Sequence, residues 1–172
     1  MSPVEDHIRI DLAEQRLRLY LGGRLQREYP VSTALNGPGE LMGSEKTPRG
    51  QHRIRARIGA GCESGTVFVG RRPTGEIYTP ALAQRCPERD WILSRILWLC
   101  GEEPGRNRLG RFDSMRRYIY IHGTPDSEPM GEPRSHGCVR MRNRDIIELF
   151  ELVTVGLQVH IEEGARSQCR LT

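Results

Sequence analysis

Ser135-His136-Gly137-Cys138-Val139-Arg140-Met141, with Asn143 two residues on, is the stretch on which the reading of this chain turns. It sets a cysteine directly after a glycine, between the basic side chains of His136 and Arg140, and just ahead of a segment with helical periodicity. A second histidine, His122, closes the strand-like run Arg117-Tyr118-Ile119-Tyr120-Ile121-His122-Gly123. Cysteine and histidine on separate, converging segments are the minimum set for acyl transfer through a thiolate. The thiol needs a base to ionise it near neutral pH, and cationic or helix-N-terminal surroundings lower its pKa further.

Upstream of this stretch the chain reads as a β-meander. Ile8, Ile10 and Leu12 alternate with polar residues, as do Leu17, Leu19 and Leu21, and Gly22-Gly23 then marks a hairpin turn into a strand over Leu25–Ser32. The segment 36–50 is a loop rich in glycine and proline, and strands are expected over Gln51–Ile58 and Thr66–Val69. Between Glu88 and Cys100 the pattern changes. Trp91, Ile92, Arg95, Ile96, Trp98 and Leu99 recur at helical spacing, which predicts a helix stopped by Gly101. A strand over Arg117–His122 follows. A second helix is expected from an Asn143 N-cap to about Thr154, with Asp145 favouring its positive end, before a last strand through Leu157, Val159 and Ile161. The tail after Glu163 reads as loose.

Composition excludes several classes. At 172 residues, with 37% hydrophobic and 28% charged, the chain suits one soluble globular domain, 1–172, with its core at about 7–161. The net charge of +4 comes from arginines interleaved with acids, Lys46 being the only lysine. There is no basic run, so nucleic acid is not an expected partner. No apolar run approaches the roughly 20 residues that span a bilayer. The N-terminus shows no secretory signal, and five irregularly spaced cysteines (Cys62, Cys86, Cys100, Cys138, Cys169) suit a reducing compartment. The expectation is therefore a cytoplasmic protein, or a periplasmic one had the N-terminus been trimmed. His122, His136 and Cys138 lack the spacing and the fourth ligand of a zinc site, and Gly37–Gly43 lacks the ending of a phosphate loop. No metal or cofactor is expected.

His122-Gly123, Ser135-His136-Gly137-Cys138-Val139-Arg140 and Asn143 together resemble the active-site signature of the YkuD-type L,D-transpeptidases, bacterial cysteine enzymes of peptidoglycan stem peptides. His7–Leu12, Gln15–Tyr20 and Tyr29–Thr33 resemble that family's opening strands, and Lys46-Thr47-Pro48-Arg49-Gly50 its Thr-Pro-x-Gly turn. The resemblance runs from about His7 to about Ile161. It implies a β-sandwich or barrel-like fold, mostly β with two helices, with the cysteine loop at one edge. It also implies a substrate: a peptidoglycan tetrapeptide or muropeptide, cut at the L–D bond before its terminal D-alanine.

Within that frame Cys138 is the expected nucleophile, and the bland alternative is a buried, inert cysteine. His122 is the expected base and then acid, against a strand-end histidine bonded only to backbone. The resemblance makes the backbone carbonyl of Gly123 the third member of the triad. Gly137 and Cys138 N–H groups are candidates for an oxyanion hole, Ser135 for loop support, and His136 for substrate contact or a competing base. Arg140 either holds a substrate carboxylate or makes an ordinary salt bridge. The helix around Trp91 and Trp98 reads as core packing, and a substrate-facing role for Arg106 or Arg108 is a hypothesis. The missing export signal favours water as acceptor, an L,D-carboxypeptidase. The alternatives are a crosslinking L,D-transpeptidase and an inactive peptidoglycan-binding module.

Overall fold

The structure is a computed structural model and describes residues 5–164; the expected loose tail after Glu163 lies almost wholly outside them. β1 (His7–Asp11) and β2 (Arg16–Leu21) bury every second residue, as their alternating sequence requires. Gly22 and Gly23 have φ of 57° and 77°, the two positive values that a two-residue type I′ turn needs, and lead into β3 (Arg24–Pro30). The last strand, β10 (Gln158–Glu162), lies parallel to β1 with Ile8 opposite Val159. It is followed laterally by β4 (Gly50–Ile58) and β7 (Ile92–Gly101).

β7 is the branch point of the sheet. One stretch of it pairs with β5 (Thr66–Val69), which carries β6 (Arg72–Ile77). Another pairs with β8 (Tyr120–Thr124), whose parallel neighbour is β9 (Val139–Arg142). The ten strands form one sheet that curls into a half-barrel. The helix α2 (Asn143–Leu152) packs Ile146, Leu149 and Phe150 into a core shared with Ile8, Leu19, Leu97, Ile121, Val139 and Ile161. Burial of that many aliphatic side chains is the main force closing the sheet on the helix, at roughly 1.5–3 kcal/mol for each large one. Among the described residues no helix is long and apolar enough to cross a membrane.

Several elements depart from the sequence reading. The expected helix over Glu88–Cys100 is the central strand β7, and Gly101 ends that strand rather than capping a helix. β7 is buried on both faces, so its apolar run is nearly continuous and has no period-2 signature. A bulge at Ser94, with φ of 69° and a register shift between Leu93 and Ile96, further scrambles the alternation into spacings that mimic a helix. The second helix is instead α1 (Pro80–Arg85), begun by Thr79, whose Oγ1 accepts from the Leu82 N–H at 3.1 Å, with Pro80 in the first turn. The strand expected over Arg117–His122 starts only at Tyr120, because Tyr118 turns at φ 56°.

Candidate active site

β8 and β9 place the chemistry. Their parallel register sets His122 opposite Arg140 and Ile121 opposite Val139, so Cys138, one residue upstream of Val139, lies at the mouth of the pair. The His122 ring is buried, and its Nδ1 lies 2.6 Å from the Gly123 carbonyl oxygen. A carbonyl only accepts, so Nδ1 carries the proton and Nε2 is the basic nitrogen. Gly123 has to be glycine: a Cβ there would stand 2.5 Å from the Leu93 carbonyl and 2.7 Å from Asn143 Oδ1. The half-buried Cys138 Sγ accepts from the Tyr120 N–H and donates to the Tyr118 carbonyl, both at 3.3 Å.

The loop before Cys138 is fixed by short bonds. Ser135 Oγ donates to the Cys138 carbonyl at 2.6 Å and accepts the Gly137 N–H at 3.2 Å. Thr47, in the Thr-Pro-x-Gly turn, donates to the Gly137 carbonyl at 2.9 Å and accepts from the Ala34 N–H at 3.0 Å. Gly137 has φ of 130°, and a Cβ there would press on the Lys46 carbonyl at 3.3 Å. Because Ser135 occupies the Gly137 amide, the expected pair of oxyanion donors is reduced. The Cys138 N–H finds no protein acceptor among the described residues and is the free donor of the two.

Cys138, His122, His136, Ser135 and Arg140 all line one cavity of about 530 Å³, within the range of single-ligand sites. His136 is exposed at its rim. Arg140 is buried and makes a salt bridge: its Nη2 is 3.2 Å from Asp90 Oδ1, and its Nη1 is 3.9 Å from Glu128. Asp90 also stands 3.9 Å from His136 Nδ1. Sequence reasoning missed Asp90, which precedes β7 in the stretch read as a helix. Arg106 pairs with Glu103 at 3.1 Å, and Arg108 borders a different depression, so neither faces this cavity. Asn143 is not a cap but a strut: Ser94 Oγ donates to its Oδ1 at 2.5 Å, and its Nδ2 donates to the Thr124 carbonyl at 3.0 Å and to Asp126 at 3.2 Å.

The electrostatics oppose a ready-made thiolate. Burial pushes the Cys138 thiol up to about 12, and Asp90 adds to that. The Tyr120 N–H, Arg140 and Arg117 pull the other way without prevailing. Burial also lowers the pKa of His122, against the Gly123 carbonyl and Asp90. Both shifts favour a neutral thiol beside a neutral imidazole, where the sequence suggested cationic surroundings that lower the thiol pKa.

A sequence model of the YkuD family, the L,D-transpeptidase catalytic domain, matches residues 5–161. The chain belongs to this family. Within it, YkuD of Bacillus subtilis (strain 168) is 41% identical over 156 residues, covering 90% of this chain and 65% of that protein. YkuD of Bacillus licheniformis is 27% identical over 155 residues, covering 90% and 64%. The chain therefore spans just under two thirds of the length of these family members. Among solved structures, a cysteine-to-serine mutant of Enterococcus faecium L,D-transpeptidase superposes with a TM-score of 0.56 at 16% identity, over 92% of this chain and 50% of that one. An L,D-transpeptidase from Mycobacterium smegmatis does so at 0.53 and 16%, over 92% and 58%. These two likenesses speak for the L,D-transpeptidase fold.

Proposed function

We propose that this domain transfers acyl groups of peptidoglycan stem peptides through Cys138, cutting the L–D bond before a terminal D-alanine. The observation that carries the reading is the His122 tautomer: Gly123 holds Nδ1–H, which leaves a basic Nε2 in the cavity that Cys138 also lines. In the first step Nε2 takes the Sγ proton as the sulfur attacks the scissile carbonyl carbon. The Cys138 N–H faces the developing oxyanion. Collapse expels the D-alanine amine, which takes its proton from His122, and leaves a thioester on Sγ. A second nucleophile, deprotonated by His122, then releases the acyl group. Proton transfer in step with attack suits a pair whose resting state is neutral.

The second nucleophile is read as water, which makes the reaction an L,D-carboxypeptidase step. The cavity that Cys138 lines has a volume of about 530 Å³, which suits a single stem. The unpaired state of Cys62, Cys86, Cys100 and Cys138 supports a reducing compartment, where stems are recycled or trimmed rather than crosslinked. The names of the relatives favour the other acceptor, an amine of a neighbouring stem, giving a crosslink. Mass spectrometry of a disaccharide-tetrapeptide incubated with the protein, beside Cys138→Ala, separates the two. Loss of one alanine in the wild type alone supports the carboxypeptidase. Crosslinked or amino-acid-exchanged products support the transpeptidase. No product at all overturns the substrate assignment.

A further inference from the structure

We propose that Arg71 is the carboxylate-binding residue of this cavity and fixes the stem peptide through one of its anionic groups, an inference that rests on the stem-peptide reading above. Three arginines line the cavity: Arg71, Arg117 and Arg140. Arg117 is occupied by backbone, donating to the carbonyls of Gly39 at 3.2 Å and Lys46 at 2.6 Å. Arg140 is occupied by Asp90 and Glu128. Arg71 pairs with no carboxylate among the described residues, and its one side-chain hydrogen bond there runs from Nη1 to the Tyr120 hydroxyl at 3.1 Å. Most of its five N–H donors thus remain for a ligand.

The guanidinium also lies over two aromatic rings. Its central carbon lies 4.7 Å from the centre of the Trp98 ring and 5.0 Å from that of Tyr118. A planar cation stacked on rings keeps its edge for planar, bidentate partners, and a carboxylate is such a partner. The ring contacts and the Tyr120 hydrogen bond favour one orientation of the group, which lowers the entropy lost on binding. The backbone adds a second observation. Gly70 and Arg71 form the two-residue turn between β5 and β6 with φ of 56° and 64°. Such a turn favours glycine or asparagine at its second place, so arginine sits there against local preference, with its side chain over the rings.

The same tyrosines connect this cation to the chemistry. The Tyr118 carbonyl and the Tyr120 N–H both contact Cys138 Sγ, while the Tyr118 ring and Tyr120 hydroxyl contact Arg71. The guanidinium and the sulfur thus have the same two tyrosines as neighbours. Since Arg71 and Cys138 line one cavity, the carboxylate offered to Arg71 is either the terminal one of the stem or an interior one.

The test is kcat/KM for wild type, Arg71→Lys and Arg71→Gly on three disaccharide-tetrapeptides: the free acid, the C-terminal amide, and the form with its interior carboxylates amidated. Glycine suits the turn better than arginine, and an unchanged melting temperature shows that the hairpin is intact. Arg71→Gly is expected to lower kcat/KM on the free acid about 10- to 100-fold, with Arg71→Lys between the two. One amidated stem should lose the same factor with wild type and nothing further with Arg71→Gly. Which stem does so identifies the terminal or the interior carboxylate. An Arg71→Gly activity within twofold of wild type overturns the inference, and so does independent multiplication of the two losses. A wild type inert on every stem overturns the functional reading first, and this one with it, before any variant is compared.

Discussion

Replacing Asn143 by aspartate separates two roles for that residue by the sign of the effect. As a helix N-cap, asparagine and aspartate are near equivalents, and the added charge at the positive end of α2 would be neutral or slightly stabilising. As the strut the structure shows, the residue needs its amide donors. Nδ2 reaches the Thr124 carbonyl at 3.0 Å and Asp126 at 3.2 Å, while Oδ1 accepts from Ser94 at 2.5 Å. Aspartate keeps only the last of these and points an anion at a carbonyl and at a second carboxylate, in a buried position. Leaving one buried acceptor unpaired costs about 1–3 kcal/mol, and the facing charge adds to it, so a loss of about 3 kcal/mol is expected near neutral pH. Asn143→Ala removes two to three hydrogen bonds, a loss of about 2–4 kcal/mol against about 1 kcal/mol for a mere cap. Urea denaturation with a constant slope m reads both values. The aspartate variant should also recover stability as the pH falls and its carboxyl takes up a proton. An Asn143→Asp protein within about 0.5 kcal/mol of wild type at neutral pH would refute the strut.

Other consequences are open to measurement. Gly123→Ala drives a Cβ to 2.5 Å from the Leu93 carbonyl and moves the carbonyl that orients His122; kcat should fall by 100-fold or more, and full activity would show that this carbonyl does not set the tautomer. Because burial lowers the His122 pKa, kcat/KM should be flat across neutral pH and be lost only as the pH falls below 6.5, whereas an activity that needs a protonated histidine would peak below neutrality and contradict the neutral pair. With the thiol pushed up to about 12, iodoacetamide should modify Cys138 at pH 7.5 more than tenfold slower than free cysteine. His52 is buried between the Gly50 carbonyl and Ser114, with its pKa lowered to about 4. The unfolded chain binds that proton at 6.5, so stability present above 6.5 is lost as the pH falls to about 4, by about 3 kcal/mol, and His52→Gln should flatten this part of an acid titration followed by denaturation.

How much of this was legible in the sequence depends on how local the determining forces are. The β1–β3 meander was readable because each strand has one buried face and its turn is spelled by two glycines. The convergence of Cys138, His122 and the cysteine loop on one cavity was expected because a run of unusual residue types marks them. β7 was misread because a strand buried on both faces, with a bulge at Ser94, loses the alternation that identifies strands. α1 passed unnoticed although Thr79-Pro80 was a fair start signal, since six residues give too little periodicity to register. Asp90 and Arg71 were out of reach for a different reason. Each matters only through partners far along the chain: Arg140 lies 50 residues from Asp90, and Tyr120 lies 49 residues from Arg71. Neither has a local motif to announce it.

The misreading of β7 and the reach of Asp90 bear on the same chemistry. As a helix, residues 92–101 could have offered a dipole to the thiol. As a strand, they supply none, and their Asp90 end brings a carboxylate that disfavours the Cys138 anion and favours protonated His122. Arg140 opposes both effects, and it pairs directly with that carboxylate at 3.2 Å. The ion pair thus presents the sulfur and the imidazole with two opposed charges, and burial is the largest influence on their protonation. Burial thus favours a protonated thiol at rest. On the proposed mechanism the nucleophile then depends on the proton reaching His122 as the carbonyl carbon arrives. On that mechanism the weight falls on the Gly123 carbonyl, 2.6 Å from His122 Nδ1, and on the Asn143 strut packed against Gly123.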